Sequence, residues 1–157
     1  QNLGANKPER SLRGVAVASR IGLMVAVAIG LLFLLIPHAL LGIFGMGGKS
    51  DEHVITIGTQ LLQYLSVSGL FITVALSYTG GLQGTGDTRS PLYISIISQI
   101  VVPIGLCEFL QATHGLQPAD IWMAIVLGHF TRAALSWLRF RQAKWRNIAV
   151  DIQPSRA

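Results

Sequence analysis

Residues 54–89 read VITIGTQLLQYLSVSGLFITVALSYTGGLQGTGDTR, and from Val54 to Gly86 there is no Asp, Glu, Lys or Arg. A helix needs about 20 apolar residues to cross a bilayer, and soluble domains seldom supply an uncharged stretch this long. A second such stretch runs from Ile21 to Gly48. Charged residues make up only 12% of the 157-residue chain, about half the roughly 25% of soluble domains. In lipid the backbone must satisfy its own hydrogen bonds, which long uncharged runs do as helices. The sequence therefore predicts an all-α integral membrane protein.

Four spans are legible. The first covers residues 15–44, with fourteen Leu, Ile, Phe or Val between Ile21 and Ile43; they favour insertion by about 4 to 8 kcal/mol. Pro37 and His38 lie near its far end, where a break is tolerated. The second covers residues 54–84, with Ser50 as N-cap and Asp51 and Glu52 in the first turn. The third covers residues 91–111; Ser90-Pro91 starts it and Pro103 should kink it. The fourth covers residues 120–141. Its eight Leu, Ile, Val or Phe favour insertion by only about 2.5 to 5 kcal/mol, and Arg132 costs about 2.5 to 3.5. That span needs helical neighbours.

Basic residues give the orientation. Lys7, Arg10, Arg13 and Arg20 precede or open span one, Arg89 lies between spans two and three, and Arg139, Arg141, Lys144, Arg146 and Arg156 follow span four. The other two loops hold only Lys49. Four crossings put the basic segments on one side, which by the positive-inside rule is the cytoplasm, together with both ends and a tail of residues 142–157. This topology accounts for the net charge of +5 without a nucleic-acid partner.

Small residues recur every fourth position: Gly14, Ala18, Gly22, Ala26 and Gly30 on span one, and Gly69, Thr73, Ser77 and Gly81 on span two. Such ladders let helix backbones approach closely once lipid has removed the hydrophobic drive between them. Gln60, Gln63 and Tyr64 form a different face of span two, read either as a polar wall lining a cavity or as groups near the outer headgroups. Gln99 lies four residues before Pro103 and would line the cavity or satisfy a carbonyl freed by the proline. Arg132 stands one turn from Gly128 and one from Ser136, so it points towards protein or snorkels to the nearby surface. His129 reads as a helix–helix hydrogen bond, and Glu108 as interfacial.

No catalytic constellation emerges. The lone Cys107 lacks a suitable His, and His38, His53, His114 and His129 have no metal-ligand spacing; no enzyme and no cofactor are expected. The stretch GGLQGTGDT from Gly80 is nearly a phosphate loop, but Asp87 stands where that loop needs Lys, and a membrane span precedes it instead of a strand. Gly84, Gly86, Asp87, Thr88 and Arg89 read instead as a tight hinge joining two helices, in which Asp87 and Arg89 bond local backbone or each other.

Gly84-Thr85-Gly86-Asp87-Thr88-Arg89 with Pro91, and Gln1-Asn2-Leu3-Gly4-Ala5 with Pro8, Glu9 and Arg10, resemble the multidrug and toxic compound extrusion (MATE) transporters. The resemblance implies the last third of a twelve-helix, two-lobe fold: residues 1–14 would close the eighth helix, and the four spans would be helices nine to twelve. About eight further spans are then expected ahead of Gln1, where a polar, proline-bearing opening is neither a signal nor a transit peptide. It also implies export of organic, often cationic compounds in exchange for Na⁺ or H⁺ by alternating access. Some members carry a functional acid in the tenth helix; Val54–Gly86 has none, so any coupling carboxylate would lie upstream. The alternatives are a lipid-linked sugar flippase of the same superfamily, and a non-transporting four-helix scaffold.

Overall fold

A computed structural model describes residues 7–45 and 52–147. The opening Gln1-Asn2-Leu3-Gly4-Ala5, the Ser50 cap with Asp51, and the tail beyond Asn147 lie outside the described residues. Within them the fold is all-α. Helix α1 spans Pro8–Leu35, α2 Pro37–Ile43 and α3 Glu52–Gly84. Helix α4 spans Arg89–Ile96, and runs through a π-helical turn, Ile97–Val101, into α5, Val102–His114. Helix α6 spans Pro118–Arg141, and a short 3₁₀ turn, Lys144–Asn147, follows. Four helices are long and apolar enough to cross a membrane: α1, α3, the composite Arg89–His114, and α6.

Three departures from the sequence reading have a local reason. Pro8 begins α1, so residues 8–14 are its first two turns and do not close a preceding helix; proline suits a first turn, where its missing N–H is no loss. The span over 15–44 divides at Ile36 (φ −128°, ψ 42°). Pro37 disfavours the α region for the residue before it and starts α2 as a new first turn. In the third span, Pro103 is accommodated by the π turn: the Val102 amide bonds the Ile97 carbonyl, five residues back. The extra residue absorbs the missing donor and lets the helix continue.

α3 lies between α1 and α6. Its contact with α1 uses small residues. The Ser66 carbonyl would lie 3.3 Å from a Cβ on Gly30, and a Cβ on Gly22 would overlap the Thr73 methyl. Gly81 lies where a Cβ would meet Val15 at 2.7 Å and Phe140 at 3.0 Å, so it joins three helices. Gly69 faces open space and lines a shallow apolar groove between α1 and α3 instead of a contact. Ser77 donates to the Thr73 carbonyl within its own helix (2.9 Å). Ser66, Thr73 and Ser98 likewise bond their own helices' carbonyls, which satisfies a hydroxyl in lipid without water. Between α3 and α6, Thr79 and Ser136 share a buried hydrogen bond of 3.2 Å.

The best-packed part of the fold gathers the basic segments. Leu82 at the end of α3, Phe140 at the end of α6 and Trp145 beyond it are buried together, with Leu12 and Val15 of α1 and Tyr78 packed around them. The Trp145 ring stacks on Phe140 with centroids 5.1 Å apart, and its indole N–H donates to the Phe140 carbonyl at 2.9 Å. Ala143, with φ +55°, turns the chain back, so the start of the expected tail is a folded cap. The start of α1, the Gly80–Arg89 stretch and the end of α6 thus occupy one end of the bundle.

Candidate functional site

At that end, the glycine-rich stretch does three jobs in sequence. Gly86, with φ +89°, stops α3: its amide bonds the Gln83 carbonyl and the Asp87 amide bonds the Leu82 carbonyl, both at 3.0 Å. This is the Schellman pattern, which closes the orphan carbonyls of a helix end. Thr85 adds a hydroxyl bond to Leu82 O (2.8 Å). Asp87 then caps the next helix, accepting from the Ser90 amide at 3.0 Å and the Ser90 hydroxyl at 2.7 Å. Finally it anchors α6, since Arg139 donates to Asp87 Oδ2 from Nη2 (3.1 Å) and Nε (3.3 Å).

The partner of Asp87 is therefore Arg139; Arg89 and Thr88 are exposed, as is Gly84, whose Cβ position is open. Asp87 itself is 7% exposed. Burial pushes its carboxyl up, but the Ser90 bonds and the Arg139 pair outweigh that and hold it below the usual carboxylate range. A buried carboxylate with this many donors stays ionised.

Within the membrane-spanning part, the five polar residues expected to line a cavity do not come together. Gln63 and Tyr64 line an open groove of about 330 Å³ with Val67 and Val126. Trp122 of α6 closes on Tyr64, ring centroids 5.8 Å apart. Gln60 is exposed and does not line that groove. Gln99 and Arg132 lie elsewhere. Gln99 projects from the π turn, is exposed, and meets Nδ1 of His129 on α6 at 3.5 Å. Arg132 is half-buried, and its Nε is buried without a hydrogen-bond partner among the described residues. The Ser98 carbonyl and the Pro103 ring fill the space beside Gly128, bringing the π turn against α6.

Sequence reasoning did not join Arg139 or Ser90 to Asp87, and did not single out Trp122. No local signal marked the first, because it stands 52 positions from Asp87. Trp122 was legible only as an apolar member of its span, although α3 presents Gln63, Tyr64 and Val67 at helical spacing towards it. The arrangement offers two chemistries: a saturated ionic joint at the basic end, and an open groove lined by the Gln63 amide and the Tyr64 phenol, with the Trp122 ring against Tyr64.

The family model MatE matches residues 1–108, more than half of the chain. A probable multidrug resistance protein NorM of Thermotoga maritima is 28% identical over 130 residues, covering 83% of this chain and 27% of the relative. Proteins of the same name from Deinococcus radiodurans and Mesorhizobium japonicum are each 28% identical, covering 76% and 87% of this chain and 27% and 30% of theirs. The chain thus spans less than a third of the length of these relatives. No solved structure matches it significantly. With four apolar helices of spanning length and this match over most of them, the chain belongs to the MatE family of integral membrane proteins.

Proposed function

We propose that the chain is the C-terminal part of a secondary multidrug exporter, which moves organic and often cationic compounds out of the cell in exchange for Na⁺ or H⁺. The family match, with relatives that carry the name of multidrug resistance proteins, is the observation that carries this reading. The family is one of transporters, so the work is conformational and no covalent step is required. The amide and aromatic wall of Gln63, Tyr64 and Trp122 is the part of this chain that meets the exported compound. The gathering of the basic segments at one end supports a topology in which the Asp87 joint and both ends face the cytoplasm of a bacterial inner membrane.

In this reading the helices belong to one of two lobes whose relative movement exposes the cavity to either side in turn. The Asp87–Arg139 pair couples α3, α4 and α6 so that they move as one body. Beyond its first turn α3 carries no acid, so the carboxylate that couples transport to the ion sits on the remainder of the transporter. The basic residues serve topology, and lipid and small molecules are the partners, not nucleic acid.

The test is accumulation of a fluorescent organic cation by cells that lack their own exporters and express the full-length protein. Expression should lower accumulation severalfold, and collapse of either the Na⁺ or the proton gradient should abolish the difference. Accumulation equal to that of empty cells, at confirmed membrane expression, overturns the reading.

A further inference from the structure

We propose that Arg132, with Gln99 and His129 beside it, forms a carboxylate-binding subsite inside the membrane-spanning part of the protein; this rests on the transporter reading above. Arg132 lies seven positions before Arg139 on α6, about 10 Å along the axis. Its Nε is buried and has no hydrogen-bond partner among the described residues. A guanidinium does not escape this situation by losing its proton. Nor does its direction suit snorkelling to the basic end: helical side chains lean towards their own N-terminus, here away from Arg139.

The acids among the described residues are engaged or distant. Asp87 is held by Ser90 and Arg139, and Asp120 accepts from the Gln117 amide at the other end of α6. Glu52 begins α3, and Glu108 is exposed at the middle of α5. Glu9 lies in the first turn of α1. None of them pairs with Arg132. A half-buried cation within a membrane-spanning helix calls for a counter-charge that these residues do not supply.

The chemistry of the free edge selects the ligand. Nε itself is covered, but Arg132 is only half-buried, and Nη1 and Nη2 at its end present two N–H donors that match the two oxygens of a carboxylate. One carboxylate neutralises one guanidinium, whereas a phosphate dianion would leave excess charge to desolvate. His129 is three positions before Arg132, hence a neighbour on the same helix face, and Gln99 meets it at 3.5 Å across the helix contact. The π turn aims that amide, with further donor capacity, at the same region. The carboxylate has two sources, an exported compound bearing one or an acidic side chain in the rest of the transporter, and both satisfy the same edge.

The experiment uses the purified full-length transporter and a xanthene dye in two forms, the free carboxylate and its methyl ester. Affinities are read by fluorescence polarisation with no ion gradient, so failure of transport and failure of this site are scored separately. If exported compounds supply the carboxylate, the wild type binds the acid about tenfold tighter than the ester. Arg132→Gln then binds both alike, and Arg132→Lys, which keeps the charge but loses the fork, falls between. If the transporter supplies it, acid and ester bind alike and Arg132→Gln impairs dye export. Neutralising one Asp or Glu elsewhere, found by second-site selection, then restores export. The lysine variant serves where the glutamine variant does not fold. The proposal falls if acid and ester bind alike and Arg132→Gln either keeps wild-type export and melting temperature or is restored by no neutralised acid.

Discussion

At the end of α6 that carries Arg139, almost every polar group has its partner. Asp87 receives donors from Ser90 and Arg139, Trp145 donates to a backbone carbonyl, and aromatic rings fill the space between three helices. Two turns earlier on the same helix, Arg132 keeps an unmet N–H, the Gln99–His129 contact is long at 3.5 Å, and Gln99 is exposed. One helix therefore carries a closed joint and an open face. Saturated polar networks fix one geometry, while an unpaired buried polar group is costly until it finds a partner. The difference teaches where rigidity is built in and where polar groups of the same helix are left unpaired.

The largest expected effect lies in the joint. Trp145 is 1% exposed, and its removal leaves a cavity beneath Phe140, Leu82 and Leu12. Trp145→Ala should lower stability by about 3 to 5 kcal/mol, read as a large drop in unfolding midpoint in detergent. An unchanged midpoint would mean that the turn at Ala143 is an ornament and the joint stops at Arg139.

Asp87→Ala should follow, at about 2 kcal/mol. It removes a helix cap worth about 1 kcal/mol and leaves Arg139 unpaired; because the Arg139 side chain is 30% exposed, water meets part of that cost. The pH dependence has a definite sign. The folded Asp87 carboxyl is held below its ordinary value, so its contribution is complete above the unfolded value of about 4 and is lost as pH falls through the lower folded value. Asp87→Asn should therefore flatten the acid limb of the stability profile below about pH 4. An identical acid limb in the variant would show that the pair carries no stability.

How much of this was readable in the sequence follows from how local each cause is. Charge-free runs, the alternation of basic loops and the glycines around Gly86 are local signals, and they placed the four spans and the tight turn between α3 and α4. The break at Ile36 was visible as Pro37. The partner of Asp87 was not, because Arg89 is two residues away while Arg139 comes from another helix; only packing decides between them. The burial of Trp145 depends in the same way on a return turn at a residue, Ala143, whose positive φ nothing in its type announces. The polar wall was half legible: helical spacing grouped Gln60, Gln63 and Tyr64, but which of them meets α6 depends on how far along α3 the contact with α6 reaches.

A smaller effect sharpens the comparison at its boundary. Gly86 adopts φ +89°, which costs an L-residue about 1 kcal/mol. Gly86→Ala should lower stability by about that amount. Gly84→Ala, in a helical conformation with open space at its Cβ, should be neutral or slightly stabilising. The pair separates a glycine required by backbone from one that is not. Equal losses would indicate that both are held by contacts with another part of the transporter.

The smallest stability effect should come from the open face, and there the functional effect should be largest. Gln63 is exposed at the rim of the groove it shares with Tyr64 and Val126. Gln63→Leu removes no side-chain bond that the helix depends on, because Ser66 bonds the Gln63 backbone carbonyl, not its amide. Stability should stay within about 0.5 kcal/mol of wild type. Export of a polar organic cation should fall severalfold, since the amide that orients it is gone, while export of a purely apolar compound should hold or rise. A variant as unstable as Asp87→Ala would mean that Gln63 is a packing contact and the wall no binding surface. Unchanged stability together with unchanged export of both compounds would place the guest against another part of the transporter, leaving the contrast between joint and face as one of packing alone.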